Sequence, residues 1–386
     1  MNVLLKGRTG RLQSVDLLVP ELFAADGGIQ VYSRTLICAL RTLRPHLQLR
    51  VFCRNDHPHH LPESEWEGIE WHLAAGSRRR FVRDLLQATR RRRPQLLFST
   101  HVHFALLLCL HHRVTGVPGW CSAHGIEVWD LARGPSCWAL GCLQRLLPVS
   151  RFTAERLQDQ LGGRCPVMSL LPNSFDAGRF TPNNPPISLM RRYGLQPDQP
   201  LIVSLSRLST QDRYKHLDRL IEALPPLLTR WSGLRLLIAG DGELRFSLQA
   251  LAASLGVAHA VIFTGRVGET ELVDHLRLAS VFALPSSGEG FGIVFLEALA
   301  CGLPVLAGDC DGSCDPLADG VHGLLVDPHL PLAPPLMALL EGRGEPLWFD
   351  PSRLSAAVER AFGFEAFCSR LDTLLNQLED DLPCAA

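Results

Sequence analysis

The amino-acid sequence predicts an α/β protein with two doubly wound domains, each a parallel sheet covered by helices. Short runs rich in Val, Leu and Ile alternate with longer helical segments, and this alternation occurs twice along the chain. Such a pattern favours parallel strands joined by crossover helices. The chain has 386 residues, and single cores stop growing at ~250 to 300 residues, so two domains are expected.

The composition narrows the class of protein. The chain is 46% hydrophobic and 20% charged, which is typical of a globular protein with large cores. A net charge of -1 gives no global attraction to nucleic acid, so no nucleic-acid partner is expected. No uncharged apolar run approaches the ~18 to 20 residues of a spanning helix, and the stretch at 1–10 is too short for a secretory signal. We therefore expect a cytoplasmic protein, at most peripheral at the inner membrane face, with its twelve cysteines reduced.

The first round of alternation predicts a domain over residues 1–180. A strand over 15–19 leads into Gly27 and Gly28 and then an amphipathic helix over 29–43, which is the opening of a Rossmann-type half. Further strands are predicted over 49–52, 96–99, 119–122 and 147–150, with a helix over 151–161. Pro and Asn residues in 171–186 predict a linker.

The second round predicts a domain over residues 181–350. Strands are expected over 201–205, 234–239, 260–263, 281–284, 304–307 and 323–326, and helices over 217–228, 244–255, 269–278 and 291–301. The tail at 351–386 reads as helical and is expected to pack across the domain junction.

One loop, at 285–292, follows a predicted strand and opens a helix. Gly290 and Gly292, on either side of Phe291, let backbone N–H groups approach a ligand, and the helix N-terminus suits a phosphate. Glu297 is the only charged residue between Glu289 and Asp309, so it must find hydrogen-bond donors. Two interpretations stay open. Glu297 caps a loop or pairs with an arginine, or it accepts hydrogen bonds from a ribose while Glu289 does so from a sugar.

A second loop, after the strand over 201–205, collects cations. It contains Arg207, Arg213 and Lys215, and Lys215 is one of only two lysines in the chain. Guanidinium forks and a compact ammonium together would neutralise a diphosphate. A solvated basic loop is the alternative.

Two further turns follow predicted strands. Gly240 begins a Gly-Asp-Gly-Glu turn that is either a tight turn with an acidic cap or a nucleoside contact. His124 precedes Gly125 in the first domain. It is either structural or catalytic, placed to contact a sugar hydroxyl or to act near the reacting carbon.

Together these residues resemble the family 4 retaining glycosyltransferases, which have the GT-B fold of two Rossmann-like domains with a cleft between them. The family hallmark is a pair of glutamates around a glycine-aromatic-glycine turn, here Glu289-Gly-Phe-Gly-Ile-Val-Phe-Leu-Glu297 followed by Ala-Leu-Ala-Cys-Gly-Leu-Pro-Val. Supporting matches are Gly27 with Gly28, His124 with Gly125, Leu171-Pro172-Asn173, and Arg179 with Phe180.

The resemblance implies roles for these residues. It assigns Glu297 to a nucleotide ribose, Glu289 to hydroxyls of the transferred sugar, and Arg207 with Lys215 to the diphosphate. Gly27 and Gly28 would lie near the phosphates. It further implies retention of anomeric configuration, acceptor recognition by the first domain, a nucleotide-sugar co-substrate and no metal.

This chain departs from the family pattern at two places. The arginine-to-lysine spacing is longer by three residues, so Arg213 could share the phosphate role, and His216 replaces a glycine. Asp309 and Asp311 form an Asp-x-Asp that invites a metal-binding interpretation, but its context does not support one.

The resemblance predicts a hexosyltransferase that uses a saccharide or lipid-linked acceptor in polysaccharide or glycolipid assembly. The alternatives are a nucleotide-sugar epimerase or phosphorylase of the same fold, and a non-catalytic sugar-nucleotide-binding scaffold. Arginine runs at 78–80 and 90–93 read first as a solvated helix face, with docking to anionic lipid as the alternative. The histidines at 57, 59, 60, 101 and 103 have no recognisable metal-ligand spacing.

Overall fold

The structure is a computed structural model that describes residues 12–25, 27–62, 66–131 and 134–382. The chain divides into two compact units: one runs up to Ser174 and resumes at Phe364, and the other is Phe175–Gly363. The sequence places the boundary near residue 180, six residues beyond the division seen here. The apolar stretch at 1–10, with Lys6, lies outside the described residues.

A parallel sheet of seven strands forms the centre of the N-terminal unit, within the ranges that the structure describes. The strands are β1 (Ser14–Val19), β2 (Gln48–Cys53), β3 (Glu70–Leu73), β4 (Leu96–Ser99), β5 (Gly119–Ala123), β6 (Arg145–Pro148) and β7 (Val167–Met168). Their order is β3-β2-β1-β4-β5-β6-β7. Because the order reverses between β1 and β4, the loops after these two strands border a crevice at the carboxyl edge of the sheet.

Helices cover this sheet. They are α1 (Gly28–Leu43), α2 (Arg78–Arg91), α3 (Ala105–Thr115), α4 (Ile126–Trp129), α5 (Pro135–Leu140) and α6 (Arg151–Leu161). All six residues of β1 are buried, including the polar Ser14 and Asp16, because helices cover both faces of a parallel sheet. Arg50 of β2 reaches Asp16 of β1 at 2.6 Å and donates to the carbonyl of Ala88 in α2 at 2.8 Å, so one buried ion pair ties two strands and a helix together.

The C-terminal unit repeats the architecture with six parallel strands among its described residues. They are β8 (Leu201–Leu205), β9 (Arg235–Ala239), β10 (Val261–Gly265), β11 (Val281–Leu284), β12 (Val305–Gly308) and β13 (Leu324–Val326), in the order β10-β9-β8-β11-β12-β13. The helices are α7 (Ile187–Arg192), α8 (Leu217–Glu222), α9 (Leu224–Arg230), α10 (Arg245–Ser254), α11 (Glu269–Leu276), α12 (Ile293–Ala300), α13 (Ala333–Leu340) and α14 (Pro351–Phe362). The prediction of two Rossmann-like parallel sheets is confirmed.

Two helices predicted as continuous are divided. The helix expected over 217–228 breaks at Ala223, because Pro225 and Pro226 suit the start of a helix and not its interior. The tail breaks at Gly363 into α14 and α15 (Phe364–Asp381), which belong to different units. Strands β3 and β7 were not predicted, since they are short edge strands with little apolar pattern.

Helix α15 packs against α1 of the N-terminal unit around one buried arginine. The Arg44 guanidinium donates to Glu379 at 2.7 Å, to Asp372 at 2.7 Å and to the Asn376 side chain at 2.9 Å. Burial opposes the charge of Arg44, and the two carboxylates outweigh that effect and raise its pKa. This arrangement fastens the last helix to a residue more than 320 positions earlier in the chain.

We predict that Arg44→Ala destabilises the N-terminal unit by about 3 kcal/mol, because it removes the buried cation that both Asp372 and Glu379 contact. The matched control is Arg230→Ala, whose exposed guanidinium lies 3.8 Å from Glu341, and it should cost less than about 1 kcal/mol. Thermal unfolding followed by circular dichroism measures both. Equal shifts in the melting temperature of the two variants would contradict the assignment of α15's anchor to Arg44.

Candidate functional site

Two loops of the C-terminal unit meet at the carboxyl edge of its sheet. The loop at 206–216 follows β8, and the loop at 285–292 follows β11. Strands β8 and β11 are neighbours at the centre of the sheet. The strands that follow them in sequence, β9 and β12, lie on opposite flanks of this pair, so the strand order reverses here. Ligands of open α/β sheets bind in the crevice at such a reversal. The cations and the carboxylate singled out in the sequence lie on these two loops.

Lys215 and Glu289 form an ion pair across this crevice. The Lys215 Nζ lies 3.0 Å from Glu289 Oε1, and the two side chains are only 13% and 15% exposed. A phosphate oxygen is an alternative partner for the ammonium, and a sugar hydroxyl is an alternative partner for the carboxylate. The pair therefore holds together two groups that a phosphorylated sugar would contact separately.

The backbone joins the same two loops. Ser287 donates its N–H to the Tyr214 carbonyl at 2.8 Å, and a 2.8 Å hydrogen bond links His216 Nε2 to Ser287 Oγ. His216 adopts φ 51° and ψ 42°, the left-handed conformation that glycine favours. This conformation explains why the resemblance places a glycine there, and the hydrogen bond to Ser287 offsets part of the cost for histidine.

The two arginines of the first loop are exposed. Arg207 is 82% exposed and lies 3.5 Å from Asp212, and Arg213 makes no ion pair within the described ranges. Neither guanidinium is held against the Lys215 pair. The structure therefore brings Lys215 to Glu289 and leaves both arginines in solvent.

A buried carboxylate, Asp311, holds the loop at 285–292 in place. It accepts hydrogen bonds from Ser286 Oγ at 2.8 Å, from the Glu289 N–H at 2.6 Å and from the Ser313 N–H at 2.8 Å. Burial raises the pKa of Asp311, and these hydrogen bonds oppose the rise. Asp309, the other carboxylate of the Asp-x-Asp, is exposed. The motif that suggested a metal thus contains a loop anchor.

Close backbone approach explains two glycines at the strand ends. A Cβ on Gly240, which has φ +143°, would lie 1.8 Å from the Ser206 carbonyl oxygen. A Cβ on Gly308 would lie 1.8 Å from the Ser286 carbonyl oxygen. Gly240 is therefore required by the packing of the loop after β9 against the loop after β8, whatever ligand it contacts.

The turn at Gly290, Phe291 and Gly292 is only partly available to a ligand. The Phe291 side chain is 2% exposed and packs edge-on against Phe362, with ring centroids 5.8 Å apart. Its ring belongs to the core, so donor contacts from Phe291 are limited to its backbone. Gly292, at φ +82°, ends the turn just before α12.

Glu297 lies one turn into α12 and is partly buried. It makes no side-chain hydrogen bond or ion pair within the described part of the chain. Burial raises the pKa of its carboxyl to about 7, and the charge of Arg179 opposes the rise. Of the two interpretations left open by the sequence, the first is not observed among the described residues, since Glu297 neither caps a loop nor forms an ion pair with an arginine; Arg179 acts on it only through its charge. An unpartnered carboxylate is what a ligand with adjacent hydroxyls would use.

The first loop of the N-terminal unit is also held by buried polar groups. Asp56 is fully buried and accepts hydrogen bonds from the backbone N–H groups of residues 22–24 at 2.6 to 3.0 Å. Beyond this, Glu21 accepts from the Gln30 and Asn55 side chains at 2.8 and 2.5 Å. Gly27 and Gly28 follow at the start of α1. Sequence reasoning missed Asp56, whose only signal is its position three residues after Cys53, the last residue of β2.

His124 lies at the same edge of the N-terminal sheet. Its Nε2 is 2.8 Å from the Thr100 carbonyl oxygen, and its backbone N–H donates to Glu127 at 2.6 Å. Because a carbonyl only accepts, Nε2 carries the proton and Nδ1 is an acceptor. Burial lowers the pKa of His124, so the ring is neutral at pH 7. The Tyr32 ring packs edge-on against the His124 ring, with the centroids 4.9 Å apart.

The remaining histidine and cysteine clusters do not form a metal site. Within the described residues, no group of three or more His, Cys, Asp or Glu side chains is arranged to hold a metal ion. The eleven cysteines of that part of the chain are all free thiols.

Comparison with known proteins agrees with this arrangement. Residues 188–338 match the family model described as glycosyl transferases group 1. The chain is 31% identical over 355 residues to the D-inositol 3-phosphate glycosyltransferase of Xylanimonas cellulosilytica, covering 81% of this chain and 80% of that protein. It is 42% identical over 187 residues to the GDP-mannose-dependent alpha-(1-6)-phosphatidylinositol monomannoside mannosyltransferase of Mycolicibacterium smegmatis. That match covers 46% of this chain and about half, 48%, of the relative.

Solved structures share the fold at low sequence identity. The sucrose-phosphate synthase of Thermosynechococcus elongatus superposes with a TM-score of 0.77 at 20% identity, over 96% of this chain and all of that one. HepE of Anabaena, solved with UDP and glucose, gives 0.73 at 18% identity over 95% of this chain and all of that one. The two sheets thus form the GT-B fold.

We predict that Glu297 makes the C-terminal unit less stable as pH rises. Between pH 4.5 and about 7 the folded carboxyl keeps its proton while the unfolded one loses it, so the free energy of unfolding falls across this window. Glu297→Gln should remove the penalty and gain at most about 3 kcal/mol above pH 7. Melting temperatures from pH 4 to pH 8 would show a difference from wild type that grows with pH. Glu359→Gln, which makes the same substitution at an exposed position of α14, is the control.

Proposed function

The chain belongs to the group 1 glycosyl transferases, and we propose that it moves a hexose from a nucleoside diphosphate sugar to a saccharide or lipid-linked acceptor with retention of anomeric configuration. The observation that carries this proposal is the Lys215 and Glu289 pair at the strand-order reversal of the C-terminal sheet. A cation for phosphate and an acceptor for hydroxyls stand 3.0 Å apart, at the place where such folds bind nucleotides.

In this proposal the donor diphosphate replaces Glu289 as the partner of the Lys215 ammonium. The ammonium exchanges Glu289 for phosphate oxygens, and the exposed Arg207 and Arg213 fold onto the same phosphates as bidentate donors. Negative charge grows on the β-phosphate as the sugar leaves, so these cations act mainly in the transition state. The freed Glu289 carboxylate accepts hydrogen bonds from hydroxyls of the transferred sugar.

Glu297 binds the ribose of the nucleotide in this account. Two adjacent hydroxyls can each donate to one carboxylate oxygen, which would satisfy a side chain that has no hydrogen-bond or ion-pair partner among the described residues. Donation to the ionised form lowers the pKa of a carboxyl. Donor binding near pH 7 should therefore release a proton from Glu297, whose pKa without ligand is about 7.

The transfer step needs no covalent nucleophile from the protein. The acceptor hydroxyl attacks the anomeric carbon on the face that the diphosphate leaves, the bond to the β-phosphate oxygen breaks, and the acceptor proton passes to that oxygen. Retention follows from attack on the leaving-group face. His124, neutral and with Nδ1 as an acceptor, is assigned to a sugar hydroxyl, and the Gly27 and Gly28 backbone to the phosphates.

We assign no metal to the reaction. One lysine and two arginines supply the positive charge that a divalent ion provides in other transferases. Both carboxylate oxygens of Asp311, which a metal would require, already accept hydrogen bonds: one from Ser286 and Glu289 of the loop at 285–292, the other from the Ser313 N–H. We propose that the protein acts at the cytoplasmic side of a membrane, where sugar nucleotides and lipid-linked acceptors meet.

GDP-mannose is the first donor to test. The Mycolicibacterium relative is named as GDP-mannose-dependent, and a second relative, from Corynebacterium glutamicum, carries a similar name at 33% identity over 219 residues. Their names also contain phosphatidylinositol mannosides, so an inositol-bearing glycolipid is the first acceptor to test.

We predict that one nucleotide family among UDP-, GDP- and ADP-sugars raises the melting temperature, and that its diphosphate is slowly released by hydrolysis. Lys215→Ala and Glu297→Ala should each lower that release by about tenfold to a hundredfold, because each removes a group bound to the donor. Arg230→Ala, an exposed cation of the same unit, is the control and should behave as wild type.

The same assay separates the other functions considered. An epimerase would interconvert sugar nucleotides and form no product with an added acceptor, and a phosphorylase would require inorganic phosphate. A scaffold would bind a donor and release no diphosphate. Full activity of Lys215→Ala would remove the ammonium from the proposed mechanism.

A further inference from the structure

Residues 78–115, which contain α2, β4 and α3, carry a strong local positive charge. This segment has nine arginines and one acidic residue, Asp84, although the whole chain has a net charge of -1. The donor site in the C-terminal unit uses none of these residues. Such a concentration of one charge on one side of a near-neutral protein marks a surface for an anionic partner.

The arginines of α2 form a stripe on its exposed side. Its buried side consists of Phe81, Leu85 and Ala88. The opposite side carries Arg79, Arg83 and Arg90, all exposed, at the i, i+4 and i+11 positions that share one helix face. Arg83 is paired only with the neighbouring Asp84, at 2.9 Å and largely in solvent. Two apolar side chains, Val82 and Leu86, are 38% and 44% exposed beside the stripe.

Helix α3 exposes an apolar stripe. Leu106, Leu110 and Val114 are spaced four residues apart and are 40%, 49% and 86% exposed. A soluble surface helix places polar residues at such positions. The buried side of the same helix, with Leu108 and Cys109, is already packed on the sheet, so its outward leucines and valine are not needed for the core.

The two stripes lie side by side on one face of the N-terminal unit. Phe81 of α2 stacks on Phe104, just before α3, with centroids 5.0 Å apart, and Thr89 Oγ1 lies 3.1 Å from His111 Nε2. We call the combined surface the basic-apolar face. It consists of Arg79, Arg83, Leu86, Arg90, Leu110 and Val114 and their immediate neighbours.

We infer that the basic-apolar face docks on the surface of a membrane that contains anionic phospholipid. Guanidinium groups bind phosphate headgroups, and each cation near an anionic surface strengthens attachment. Leucine and valine side chains beside them can enter the boundary between headgroups and acyl chains, as amphipathic helices do. Nucleic acid would use the arginines and leave the apolar stripe in water, so the lipid surface fits both halves of the face.

This attachment is peripheral. No helix among the described residues is both long and apolar enough to cross a bilayer. The inference extends the proposed use of a lipid-linked acceptor and rests on it for its biological purpose. The residues that support it belong to the N-terminal unit and take no part in the proposed donor binding. Membrane docking and the proposed transferase activity can therefore be contradicted independently.

Vesicle co-sedimentation tests the inference. Wild-type protein should bind vesicles of equimolar phosphatidylglycerol and phosphatidylcholine, and should not bind vesicles of phosphatidylcholine alone. The double variant R83E/R90E should lose more than about tenfold in partition coefficient, because two cations are lost and two anions added. R353E/R360E is the matched control: both residues are exposed on α14 with the same seven-residue spacing, and the net charge changes equally.

A second variant tests the apolar half. Leu110→Ser with Val114→Ser should weaken vesicle binding at about 1 M salt more than at about 0.1 M, since the Debye length falls from ~10 to ~3 Å and leaves the apolar contact dominant. Equal losses for R83E/R90E and R353E/R360E, or tighter binding to duplex DNA than to anionic vesicles, would overturn the inference. Donor hydrolysis, measured in parallel, should be unchanged in all these variants, so a loss there would instead bear on the proposed activity.

Discussion

Buried carboxylates fix the loops on which the site depends. Asp311 gathers three donors and thereby sets the position of Glu289. In the N-terminal unit, Asp56 gathers three backbone N–H groups of residues 22–24 in the same manner. Each aspartate follows the strand that lies next to a strand at the reversal of sheet order. A buried carboxylate without donors would be costly, so each loop is held in the conformation that supplies them.

The charged side chains of the C-terminal crevice can exchange their protein partners for a ligand. Lys215 and Glu289 satisfy each other while shielded from solvent, and a diphosphate and a sugar can take over one partner each. Glu297 differs, because its carboxylate makes no hydrogen bond or ion pair within the described residues, and burial raises its pKa to about 7. The site thus has one preformed pair and one open position, which suits a ligand with phosphates in the middle and hydroxyls at both ends.

Local sequence patterns predict most of the strands and the two loops that form the candidate site. Strand positions such as 201–205 and 281–284 follow from apolar runs between breakers, and both lie as predicted. The loops bearing Lys215 and Glu289 follow from where those strands end. The hydrogen bonds that the sequence did not predict join residues that are far apart along the chain. Arg44 donates to Glu379 of α15, and Asp311 accepts from Ser286. The local glycine-aromatic-glycine motif suggests that the whole turn at 290–292 contacts the donor, whereas the Phe291 ring packs on Phe362, seventy-one residues later.

The proposed function requires a nucleoside diphosphate to bind at the carboxyl edge of the C-terminal sheet, between loops that Asp311 holds in place. Isothermal titration calorimetry with GDP and UDP, and with guanosine and uridine as counterparts without phosphate, tests it on wild type, Asp311→Asn and Asp309→Asn. For one base, wild type and Asp309→Asn should bind the diphosphate at least about tenfold tighter than the nucleoside. Asp311→Asn should lose that advantage while remaining folded. Wild-type affinity in Asp311→Asn, or equal affinity of wild type for diphosphate and nucleoside, would contradict the account.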